Sequence, residues 1–225
     1  MSRCCATYGD TASGQFGDAV ARRDVAAYRR RGPDKATKLM RDAVIEAAGA
    51  RATTLLDIGG GIGALSLELL AAGVGRATVV DASRAYLEAA RTEVRRTGRD
   101  AQLSIVAGDF VELAPTLAPA DVVAMNRVVC CYPDYRQLLS AALDHCRGVV
   151  AFSYPKDRWY IRAVTEFGNA VRRLTGRPFR TYVHDARAMG ALVAARGFHP
   201  RSRHDTFVWR VEVWTRVPAE ARSPI

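Results

Sequence analysis

Four glycines fall within five residues in "DIGGGIG", Asp57 to Gly63, and Gly59, Gly61 and Gly63 fit a GxGxG spacing. Glycine loses more conformational freedom on folding than any other residue, so a cluster between two packed elements implies that something approaches the backbone closely. A helix starting after such a loop offers unpaired N–H groups. Asp57 stands two residues before the first glycine, and Asp81, followed by Ala82, closes the next apolar run, 18 residues after Gly63. A carboxylate at that second position can accept from both hydroxyls of a ribose. A third, Asp109 in "AGDF", can accept from an adenine amino group, with Phe110 beside it to cover the ring. The pattern suits an adenosine-containing ligand lying across the ends of successive strands.

Charge separates the candidate ligands. Ala64 also lets the loop pass as GxGxxA, a dinucleotide fingerprint. Asp57 at the loop's base would repel a pyrophosphate, whereas it suits the ammonium and sulfonium of S-adenosylmethionine (SAM). A nicotinamide-dependent reductase is the weaker reading: Lys156 has Phe152 four residues before it, so no Tyr-x-x-x-Lys pair forms there.

The elements that must position these groups alternate. Apolar runs at 53–59, 77–83, 101–110, 120–129 and 147–155 read as strands. Helical patterns occupy about 64–72, 84–97 (capped by Ser83) and 134–146 between them. Nearly all-apolar strands joined by helices predict an α/β, Rossmann-like doubly wound sheet with helices on both faces. Its ligand belongs beyond the carboxyl ends of the strands, where all the groups above fall. A helical segment at about 159–175 and a helix at 185–196 follow. An antiparallel pair then closes the pattern, with Phe207, Trp209, Val211 and Val213 alternating against Arg210 and Glu212. Residues 1–15 read as a loose arm, and 18–48 as two helices broken at "RGPD", folding over the cleft as a lid. The resulting division is 1–48 arm and lid, 49–217 ligand-binding domain with a helical insertion at about 156–184, and 218–225 tail.

Over about residues 40–216 the sequence resembles the class I SAM-dependent methyltransferases. "LLDIGGGIG" looks like their SAM loop, "VVDAS" their ribose-binding strand end and "GDF" their adenine-binding turn. That family also closes its sheet with a reversed strand. Within "LDIGGGIGALSLELL" a further local likeness, to the magnesium-protoporphyrin O-methyltransferases, lies almost wholly in the shared SAM-binding core. The resemblance implies SAM as cofactor and methyl transfer as activity, and places Asn126 near the methyl group or the methionine moiety. It leaves the acceptor open. "NRVV" departs from the Asn-Pro-Pro-Tyr of many DNA and RNA amino-group methyltransferases, which favours a small-molecule acceptor with an O, N or S nucleophile. An RNA methyltransferase and a non-catalytic SAM-binding module are the alternatives.

The acceptor side is expected from 125–135 and from the insertion, where Trp159, Tyr160, Phe167, Phe179 and Tyr182 could roof an apolar substrate and Arg158, Arg162 and Arg180 could pair with an acidic one. His184 and Tyr132 are the candidate proton acceptors. No CxxC spacing suggests a metal site; the vicinal pairs Cys4–Cys5 and Cys130–Cys131 make poor structural bridges, and Cys130–Cys131 reads as small apolar packing at a strand end, with a reactive pair as the alternative. The formal charge of +10 is nearly all arginine, since lysine occurs only at 35, 38 and 156. That skew, with arginines scattered among acids, argues against a nucleic-acid partner except at "YRRRGPDK". No long apolar run suggests a membrane span or signal peptide, and a cytoplasmic location is expected.

Overall fold

The computed structural model describes residues 8–49 and 52–216. Its apolar runs become seven strands: β1 Thr54–Ile58, β2 Arg76–Asp81, β3 Leu103–Ala107, β4 Ala120–Met125, β5 Cys146–Pro155, β6 Phe198–Asp205 and β7 Trp209–Arg216. They form one sheet in the order β3-β2-β1-β4-β5-β7-β6, in which only β7 runs against its neighbours. Strand order reverses between β1 and β4, which opens a crevice at their carboxyl ends.

The helices are α1 Tyr8–Gln15, α2 Asp18–Arg31, α3 Lys35–Ala48, α4 Ala64–Ala71, α5 Arg84–Thr97, α6 Phe110–Leu113, α7 Tyr135–Asp144, α8 Trp159–Leu174 and α9 Ala186–Ala195. Carboxylates or hydroxyls start several of them. Asp34 caps α3, Ser83 caps α5, Asp134 caps α7 and Asp185 caps α9, each accepting backbone N–H groups that the first turn leaves unpaired. Two apolar cores result, one on each face of the sheet. Leu138, Leu139, Phe152, Met189 and Phe198 lie in one, and Met40, Leu55, Leu69, Val79 and Val213 in the other.

Several expectations change. Residues 8–15, read as part of a loose arm, are helical; Cys4, Cys5 and the expected tail at 218–225 lie outside the described residues. α3, read as lid, is a wall of the domain: Ala36, Met40, Ala43 and Val44 are buried and the helix packs on β5 and β7. Only α1 and α2 remain as a lid. Phe207 sits in the β6–β7 turn rather than in the last strand.

Glu212 is 4% exposed. β7 is an interior strand, and both its faces are covered. The carboxylate accepts from Tyr154 Oη at 2.8 Å, Arg203 Nε at 3.0 Å and Trp214 Nε1 at 3.2 Å. Glu212→Ala is therefore expected to strand two buried donors and to lower unfolding stability by about 3 kcal/mol. A midpoint unchanged in urea denaturation would count against this.

Candidate functional site

A cavity of about 930 Å³ opens at the carboxyl ends of β1, β2, β3 and β4. It lies at the upper end of the roughly 300–1,000 Å³ usual for small-ligand sites, room for two ligands side by side. Asp57, Gly59, Gly61, Asp81, Ala82, Asp109, Phe110, Asn126 and Tyr132 all line it.

The glycine loop has two separate reasons for lacking side chains. A Cβ on Gly59 would come within 2.4 Å of Val128 Cγ2, so this glycine lets β1 approach the segment after β4. At Gly61 the space is open, the nearest atoms being Tyr86 ring carbons at 3.8 Å, but φ is +58°. That left-handed conformation turns its N–H onto Asp81 Oδ2 at 2.8 Å. Gly63, also left-handed, starts α4. Asp81 Oδ1 accepts from Ser83 N–H at 2.7 Å, so this one carboxylate binds the loop to the start of α5. Each oxygen keeps a second lone pair for a ligand hydroxyl.

Asp57 is fully buried. Ser66 Oγ donates to Oδ2 at 2.7 Å, while Oδ1 has no partner. Burial, reinforced by the charge of Asp81, lifts its carboxyl to about 7. A buried acceptor with nothing to accept is costly, and a bound ammonium would satisfy it. The residues present therefore fit a cationic ligand.

Asp109 caps α6 through Val111 N–H at 2.9 Å, and Tyr132 Oη donates to its Oδ2 at 3.1 Å. Burial raises the Asp109 carboxyl as well. Phe110 is 4% exposed and meets His145 edge-on. At the end of β4, Asn126 joins three elements. Its Oδ1 accepts from Ser153 Oγ at 2.9 Å, and its Nδ2 donates to Thr37 Oγ1 at 2.9 Å. Thr37 Oγ1 in turn donates to Asp34 Oδ2 at 3.1 Å, and the Arg127 guanidinium donates to the same oxygen at 2.8 Å. Arg127 is a positive-φ residue, at 62°, held there by its N–H on Ser153 Oγ.

α1 and α2 cover the crevice through α5. Ser83 Oγ donates to Phe16 O at 2.6 Å, Tyr86 Oη to Asp24 at 2.8 Å, and the Phe16 ring stacks on Tyr86 and meets Phe179 edge-on.

His184 stands apart from the cavity wall. Its Nε2 lies 3.1 Å from Val129 O and 3.2 Å from Tyr132 O, and burial lowers its pKa. With Tyr182 N–H on Cys130 O at 2.7 Å, it clasps the insertion to the segment after β4. This geometry ties the His184 ring to the backbone of residues 129–132. Tyr132 does line the cavity, yet its hydroxyl is directed at Asp109. Within the insertion, Phe179 and Thr181 reach the wall, whereas Trp159 and Phe167 face solvent. Arg162 pairs with Asp157, and Arg180 donates to the Arg177 and Phe179 carbonyls. Arg23, Arg31, Lys38, Arg127 and Arg172 are the cations at the cavity instead.

Residues 55–149 match the family model described as a methyltransferase domain. Over that stretch, from β1 into β5, the chain is similar to methyltransferase domains. No curated protein matches the sequence at a significant level. Among solved structures, magnesium protoporphyrin IX methyltransferase from Synechocystis PCC 6803, crystallised with SAH (S-adenosylhomocysteine), is 15% identical. It aligns over 93% of this chain and 100% of its own, with a TM-score of 0.73. An O-methyltransferase family 2 protein from Planctomyces limnophilus, in complex with apigenin, is 16% identical over 96% of this chain and 67% of its own, TM-score 0.66. The Haloferax volcanii complex of the Trm112 methyltransferase activator is 16% identical over 91% and 96%, TM-score 0.67. At these identities the likeness is one of fold, and the methyltransferase domain is shared by proteins of unlike partners. Among the described residues no helix is long and apolar enough to cross a membrane.

Proposed function

We propose that the chain transfers the methyl group of SAM to the O, N or S nucleophile of a small molecule held in the covered cavity. The observation that carries this reading is the roof: α1 and α2 are hydrogen-bonded onto α5, and one cavity runs from the glycine loop to Phe179. SAM supplies an electrophilic sulfonium methyl group. In this reading the chain's own groups bind and orient. Asp81 takes the ribose hydroxyls beside Ala82, Asp109 and Phe110 take the adenine, and Asp57 takes the ammonium. Asn126, locked by Ser153 and Thr37, borders the methionine end, and the backbone of Gly59, Gly61 and Gly63 forms the floor.

Holding a nucleophile in line with the methyl group can account for about 7–11 kcal/mol of barrier lowering without any base. This is consistent with a site in which His184 faces carbonyls and Tyr132 faces Asp109. Arg31, Lys38 and Arg172 at the wall suit an acceptor bearing an anionic group. The basic cluster that favoured RNA is partly paired within the molecule, since Arg29 donates to the buried Glu93 at 2.8 Å.

Incubation with methyl-labelled SAM and fractionated metabolite extracts is expected to label a low-molecular-weight product. Label appearing only in added tRNA or rRNA would move the acceptor to RNA. SAH binding with no labelled product in any fraction would leave a binding module.

A further inference from the structure

α8 turns apolar side chains to solvent. Among the described residues, Trp159 is 81% exposed, Val164 72%, Phe167 73%, Val171 43% and Leu174 88%. The helix is anchored from another side, by buried Ile161 and by Asn169, whose amide bonds the Thr181 backbone. Tyr160 stacks on Phe207, itself exposed in the β6–β7 turn, and meets Trp159 edge-on, so the patch is continuous at its N-terminal end. Soluble monomers seldom leave so large a contiguous apolar surface open.

Spacing points to the occupant. Tyr160, Val164, Phe167, Val171 and Leu174 recur at intervals of four, three, four and three residues, the narrow seam of a two-stranded coiled coil. Tyr160 and Leu174 each lie seven residues from Phe167, so a copy running antiparallel about a two-fold axis sets Phe167 on Phe167 and Tyr160 on Leu174, with Val164 and Val171 against the small Ala170 and Ala163. Ala163, Gly168 and Ala170 flank the seam. They are small and uncharged, which lets two backbones approach and brings no like charges together despite the net +10. The polar side carries Glu166 with Arg162 and Arg173, a mixed face, whereas a lipid-seeking helix is more uniformly basic there. Three mostly exposed aromatics at roughly 150–250 Å² each, with the aliphatics, bring the patch to roughly 500–800 Å² per protomer, near the ~800 Å² of a standard interface.

We propose that α8 pairs antiparallel with α8 of a second copy, forming a homodimer centred on Phe167. Arg172 on the helix, and Phe179 and Thr181 just beyond it, line the cavity, so the dimer also steadies the acceptor wall. The pairing stands on the seam alone and does not depend on which acceptor is methylated.

Sedimentation equilibrium across low to high micromolar protein is the test. The unaltered chain is expected to be a dimer at ~10 µM, and Phe167→Glu and Leu174→Arg each to raise the dissociation constant at least ~100-fold. Both variants should keep SAH affinity, because both side chains are exposed and neither lines the cavity, and their thermal midpoint should lose the dependence on protein concentration that a dimer shows. A monomeric unaltered chain, or a dimer indifferent to both changes, overturns the proposal. So does co-sedimentation of the monomer with phosphatidylglycerol vesicles that Phe167→Glu abolishes, which would give the seam to lipid.

Discussion

Asp81→Ala is expected to weaken SAH binding by about 10²–10⁴-fold, the equivalent of losing two charge-assisted hydrogen bonds at roughly 1.5–3 kcal/mol each. The variant removes more than a ligand contact. Asp81 also receives the Gly61 and Ser83 N–H groups at 2.8 and 2.7 Å, so without it the loop loses its tie to α5. Asp81→Asn keeps the shape but replaces one acceptor by a donor, and should fall between. Gly61→Val reaches the same end by another route, because a branched side chain at φ +58° is strained and would project toward the ligand. Titration calorimetry reads all three. Unchanged affinity in Asp81→Ala and Gly61→Val would remove the ribose assignment and, with it, the reading of the loop.

SAH affinity is expected to fall as the pH drops below 7. Burial, aided by the negative charge of Asp81, lifts the Asp57 carboxyl from 3.8 to about 7. The free folded protein then carries a proton at Asp57 that the unfolded chain has lost between about pH 4 and 7. The folded state binds more protons in that window, so its stability declines as pH rises through it and levels off above 7. A ligand ammonium reverses the preference and draws out the carboxylate, and binding below 7 must expel the proton. Affinity should weaken by up to about tenfold per pH unit below 7. Calorimetry in buffers of unlike ionisation enthalpy should record most of one proton released per SAH near pH 6 and almost none near pH 8.5. Asp57→Asn should flatten the profile. A profile retained in that variant would assign the proton elsewhere.

What could be read in advance follows from distance along the chain. The glycine loop, Asp81 and Asp109 sit at strand ends only a few residues from the elements that hold them, and local pattern carries that information. Ser83 as a helix cap is legible for the same reason. The brace through Asn126 was not, because Thr37 and Ser153 come from elements on either side of it, and nothing in "MNRVV" marks a hydrogen-bond partner 89 residues away. In β7, two-residue alternation tells that Arg210 and Glu212 share a face, but not whether that face is covered. α3 and α8 were misjudged in opposite directions. Helical spacing showed an apolar stripe on each, yet one stripe is sealed against β5 and β7 while the aromatics of the other stand in water. Ser66, whose hydroxyl holds Asp57, lies among the leucines of α4, where nothing local marks it as a partner of a strand end.

The position of α3 bears on how the chain matures. Its apolar face rests on β5 and β7, and β7 must be inserted between β5 and β6 before that contact exists. Lys35 leaves the ribosome long before Trp209, so the part of this helix that rests on β7 stays uncovered until nearly all the described chain has been synthesised. Closure of the sheet by a late strand of high sequence separation makes folding slow and largely post-translational. A nascent chain halted before Trp209 should accordingly be cleaved within residues 35–48 by a protease that spares the finished protein.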